Sequence, residues 1–178
     1  MSSGTASVAR AIARVTTAAD VARLREHRDV ARYAWEIEYD DEVLVTVHLN
    51  ATRPDESTPA DTPDRYVVEL DCSQYNVLPP EVRFVDAVTR RYRVGQDLSA
   101  LPHSAGLPGF QIHSAYSNFT DRPRVDQLVC FSFSRGYYES GHSPQPHERW
   151  QPGRHWLYTT LRVLHRALQP PYYQGRMG

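Results

Sequence analysis

Two cysteines and eight histidines are the side chains of this 178-residue chain best suited to nucleophilic or metal chemistry. Cys130 lies in "DQLVCFSF", Asp126 to Phe133, where apolar residues alternate. Read as a strand, this stretch puts Val129, Phe131 and Phe133 on one face and Leu128, Cys130 and Ser132 on the other. The bulkier face is the natural core face, so Cys130 is expected to point away from it and to be at least partly accessible to solvent. A reachable thiol there is a candidate nucleophile, because its thiolate is strongly nucleophilic. Cys72 in "YVVELDC" shares its face with Val68 and Leu70 and reads as a core residue. His103, His113, His142 and His147 fall in the two irregular stretches that flank Cys130. With that thiol they offer the imidazole and thiolate donors of a tetrahedral zinc site. No C-x-x-C or H-E-x-x-H spacing accompanies them, and scattered surface histidines are the simpler reading. No Ser-His-Asp signature or Gly-rich phosphate loop is recognisable, and "GLPGF" is a turn.

The elements that would position these groups follow from pattern. A helix is predicted from Thr17, with Thr17 as cap, Asp20 three residues on and an apolar stripe from Val21 and Leu24. In "RYAWEIEY" Tyr33, Trp35, Ile37 and Tyr39 alternate with Ala34, Glu36 and Glu38. After a turn at Asp40-Asp41, Val43, Val45, Val47 and Leu49 alternate again, which makes a hairpin with one buried face. Residues 50–64, rich in Pro, Thr and Asp, form a loop. Strands "YVVELDC" and "EVRFV" follow, separated by "SQYNVLPP". Residues 86–124 read as irregular, the Cys130 strand comes next, and "ESGHSPQPHER" is a polar loop. Leu157, Leu161, Leu164 and Leu168 recur at i, i+4, i+7 and i+11, one face of a final helix stopped by Pro170-Pro171. Trp150 and Trp156 are expected to pack that helix on the sheet. The fold class is therefore α+β: an N-terminal helix, a four-stranded antiparallel meander, an irregular region and a C-terminal helix. Residues 1–16 read as an N-terminal extension and 17–173 as one domain, with no internal repeat.

Composition narrows the function. A formal net charge of -1 gives no reason to expect nucleic acid or an anionic membrane as partner. No apolar run approaches the roughly 20 residues needed to cross a bilayer. The N-terminus lacks the apolar core of a secretory signal, so a reduced, cytoplasmic protein is expected. All 20 basic residues are arginine. A GC-rich genome accounts for that. Alternatively, a protein handling lysine-reactive acyl groups benefits from having no amine of its own to modify.

Three landmarks occur in order along this framework. "YNVLPPEVRFV" places Tyr75, Pro79, Pro80, Val82 and Phe84 as in a Tyr-Pro-x-x-Pro-Pro turn, with Asn76 where proline is usual. Cys130 follows an irregular segment, and Trp150 and Pro152 form a Trp-x-Pro just before the last helix. Over roughly residues 17–170 the chain thereby resembles the ubiquitin-conjugating enzyme superfamily, in a divergent bacterial branch. The resemblance implies a ubiquitin-conjugating-type fold and an acyltransferase that accepts a ubiquitin-like protein as a thioester on Cys130. It implies an activating-enzyme homologue as partner, a metallopeptidase encoded nearby, and no cofactor. The family's His-Pro-Asn is missing. His113 and Asn118 in "HSAYSN" are the nearest approximation, with Asn118 twelve residues before Cys130 and the candidate donor to the oxyanion. Tyr137, Tyr138 and the histidines of the inserted segment 138–149 are alternative donors. The competing readings are a catalytically inactive scaffold of the same fold and a His/Cys metal-binding module.

Overall fold

Residues 3–25 are rich in alanine and free of proline. In the computed structural model, which describes residues 3–54, 63–117 and 125–178, they form one helix, α1 (Ser3–Arg25). The helix thus begins well before the expected cap. Thr17 sits in its middle, buried, with its hydroxyl donating to the Ala13 carbonyl at 2.7 Å. A threonine that bonds back to the i−4 carbonyl has no need to start a helix. Val21 and Leu24 bury the inner face as expected. His27 then caps a short helix α2 (Arg28–Arg32), its Nδ1 accepting the Asp29 N–H at 3.3 Å.

The meander is present: β1 (Glu36–Tyr39), β2 (Leu44–Ala51), β3 (Asp64–Asp71) and β4 (Glu81–Val85) pair antiparallel in chain order. Asp40 makes the first turn by accepting the N–H groups of Glu42 and Leu44 at 2.8 and 3.0 Å. Register aligns one inward row as Ile37, Val47, Val68 and Phe84, and a second as Tyr39, Val45, Leu70 and Val82. Opposed side chains on one face are what fix such a register, since a one-residue slip would turn every one of them to solvent. Helix α4 (Leu157–Ala167) lies in the same core: Leu157, Leu161, Leu164 and Leu168 are all fully buried with the two rows. Trp150 is buried, and Trp156 is half-buried with the Arg23 guanidinium 3.9 Å over its ring.

Among the described residues four further strands lie outside the meander. β5 (Pro102–Ser104) pairs with the C-terminal β8 (Tyr173–Arg176), and β6 (Gln111–Ser117) pairs with β7 (Val125–Cys130). The described part of the span 86–124 therefore carries two strands where sequence predicts irregular chain. Buried Tyr173 fastens β8 by donating to Asp64 at 2.6 Å and meeting the Tyr66 hydroxyl at 2.8 Å, and Arg176 reaches Asp64 at 3.1 Å. A fourth helix, α3 (Arg135–Glu139), follows β7 directly. The architecture is mixed α+β, and among the described residues no helix is long and apolar enough to cross a membrane.

Candidate active site

Cys130 ends β7, opposite Gln111 of β6, while Val129 opposes Ile112 and Leu128 opposes His113. Directly opposed residues share a face. Ile112 and Val129 enter the core, as the alternation predicts, so His113 lies diagonally beside Cys130 on the other face. That other face is covered at Leu128 and Cys130, while Gln111 on it stays exposed. Helix α3 folds back over it, and Cys130 keeps only 9% of its surface exposed. The expected outward thiol is thus nearly covered. Gly136 permits the closure: a Cβ there would lie 2.8 Å from Leu128 Cδ1 and 3.1 Å from Glu81 Oε1.

Arg135 holds α3 in place. Its guanidinium, 8% exposed, donates to Asp71 at 3.1 Å and Ser73 at 3.0 Å, and lies 3.3 Å from Glu139 and 3.5 Å from Glu81. Its backbone N–H donates to the Pro80 carbonyl at 3.0 Å. A cation so far from water is stable only with this density of carboxylate and hydroxyl partners. Burial raises the Asp71 carboxyl, but hydrogen bonds from Ser73 and the Arg135 charge outweigh it and keep the group below its ordinary range. Neither Arg135 nor Gly136 drew notice from sequence. "SRGYYE" carries no periodic signal, and the glycine was the single cue.

Burial pushes the Cys130 thiol up. Burial, and then the charges of Cys130 and Glu148, push the Tyr137 hydroxyl up, so it stays protonated. Tyr138 is already committed: its hydroxyl donates to the Ser132 carbonyl at 2.9 Å and accepts the Trp150 N–H at 2.9 Å. The His142 ring stacks on Tyr137 at 4.8 Å, with Nδ1 2.8 Å from Ser140 Oγ. Burial, and then the charge of His142, lower the His113 imidazole, which favours its neutral, proton-accepting form. His113 thus shares the Cys130 face of the β6–β7 pair, and the Tyr137 and His142 rings stack on each other at α3.

Asn118 lies outside the described residues. Cys72 is fully buried, its thiol pushed up to about 12 by burial. Among the described residues no three His, Cys, Asp or Glu side chains gather closely enough to hold a metal ion, so the four histidines and Cys130 do not form the zinc cluster that their types allow.

The three landmarks form one assembly. The Tyr75 and Trp150 rings pack 5.9 Å apart, and Trp150 Nε1 donates to the Asn76 carbonyl at 2.8 Å. Tyr138 ties α3 to Trp150, and Arg135 ties it to the Pro79-Pro80 turn. No protein-family model matches the chain, and no curated protein matches it.

Proposed function

We propose that this chain is a divergent bacterial relative of the ubiquitin-conjugating enzymes that carries a ubiquitin-like protein as a thioester on Cys130. The observation that carries the reading is the joining of the landmarks: the Tyr75–Pro80 turn, the segment after Cys130 and Trp150 are hydrogen-bonded into one unit on an antiparallel meander. In the first step the Cys130 thiol loses its proton and its sulfur bonds to the modifier's C-terminal carbonyl carbon. The activating enzyme's own thioester bond breaks, and the thiolate released takes up the proton. In the second, an acceptor amine or hydroxyl attacks that carbon, the C–S bond breaks and Cys130 regains its thiol. In this reading His113 accepts the first proton, and Tyr137 or Asn118 donates to the oxyanion.

The activating enzyme and modifier are protein partners of this reading, with a cytoplasmic setting. A second reading, a catalytically inactive scaffold of the same fold, is favoured by the closure of α3 over Cys130. Loading a Cys130→Ser variant with the cognate activating enzyme, ATP and modifier separates the two. A carrier is expected to give an oxyester that resists thiol reductants and yields to alkali. A scaffold gives no adduct.

A further inference from the structure

Away from Cys130, where α2, the start of β1 and α4 meet, an open cavity of about 330 Å³ is walled by Tyr33, Trp35, Tyr158 and His165. The rings make a continuous aromatic surface: His165 stacks on Tyr33 at 4.0 Å and meets Trp35 edge-on at 5.6 Å, and Trp35 lies 6.3 Å from Tyr158. The rim is cationic. Arg162 and Arg166 stand one turn apart on α4, where like charges repel unless something lies between them. Arg162 makes no hydrogen bond or ion pair among the described residues, and Arg166 gives one N–H to the Tyr172 hydroxyl at 3.0 Å. The one carboxylate at the cavity, Asp29, is already engaged by the Tyr158 hydroxyl at 2.6 Å. Two ring nitrogens in the wall, Trp35 Nε1 and His165 Nδ1, are buried without a partner, and Trp35 as a whole is 4% exposed.

We propose that this cavity binds a small anion, an aromatic or heteroaromatic ring with one carboxylate or phosphate attached directly or through a short arm. The ring lies against Tyr33, Trp35 and Tyr158, and the anionic group sits between Arg162 and Arg166. Guanidinium groups suit this because they bond carboxylates and phosphates in a fork and stack on rings. The volume is at the small end of ligand cavities, which fits a ring with one substituent rather than a larger cofactor. The site is independent of the chemistry assigned to Cys130.

Titration of the isotope-labelled full chain with AMP and with indole-3-acetate tests the proposal. The Trp35 indole N–H resonance is followed, assigned by its loss in Trp35→Phe. At least one probe is expected to shift it saturably with a Kd below about 1 mM. Saturation by AMP alone assigns a phosphate ligand, and by indole-3-acetate alone a carboxylate. Adenosine, tryptamine and the exposed Arg162→Ala/Arg166→Ala double variant should each weaken binding at least about ten-fold. No saturable shift by either probe up to about 10 mM, or undiminished binding by the double variant, overturns it.

Discussion

Cys130 and Cys72 are both covered, yet to different degrees and for different reasons. Cys72 belongs to the sheet's inner face, fully buried among Leu70 and its neighbours, whereas Cys130 is capped by one short helix and keeps 9% of its surface exposed. Thiol alkylation of the native protein should therefore modify Cys130 first, with Cys72 protected until the core opens. Burial raises both thiols, which lowers the thiolate fraction at neutral pH. The Cys130 rate is expected to keep climbing beyond the ordinary cysteine pKa of about 8.5, and faster labelling of Cys72 would reverse the assignment. Alternation in "DQLVCFSF" placed the two faces correctly, with Val129 inward and Cys130 on the opposite side. It held no information on what covers that opposite side, because the cover comes from Gly136 and its neighbours, whose placement depends on partners in β3 and β4.

Among the elements, α3 packs against the face of β7 that carries Cys130, anchored at its start by Arg135 and further along by Tyr138. Arg135→Ala removes the guanidinium shared by Asp71, Glu81, Glu139 and Ser73. Breaking a buried ion pair from one side costs about 3–5 kcal/mol. The variant should label at Cys130 faster than wild type even under conditions where it remains folded. Unchanged labelling would show that α3 is held by other means. The core helix α4 makes a separate prediction: Leu161→Ala should destabilise by about 2–5 kcal/mol in denaturant unfolding, since Leu161 is fully buried. A change below about 0.5 kcal/mol would contradict its place in the core. The α4 stripe was legible because four leucines at helical spacing leave no other period. The paired strands β5 and β8 were not, since their partners stand some seventy positions apart and each is four residues or fewer. β6 was masked differently: the register shift between His113 and Tyr116 interrupts the alternation that would have announced a strand.

At the scale of the whole molecule, two features converge. The landmarks scattered from Tyr75 to Trp150 meet in one hydrogen-bonded assembly, and the chain that carries them has arginine but no lysine. A protein that holds an activated acyl group without lysine has only its N-terminal amine, hydroxyls and thiols as sites of self-modification. Any lasting self-adduct should map to the terminus or be alkali-labile. The order of landmarks was readable in the sequence. Their contact was not, because the Trp150–Asn76 and Tyr138–Trp150 bonds join segments that only the folded chain brings together. The most direct test of the central claim is the intact mass of wild type and Cys130→Ala after incubation with the cognate activating enzyme, ATP and ubiquitin-like protein. Wild type is predicted to gain one modifier less one water, lost again on adding a thiol reductant, and Cys130→Ala to gain nothing. Equal loading of the two proteins would contradict the thioester and leave the scaffold reading in its place.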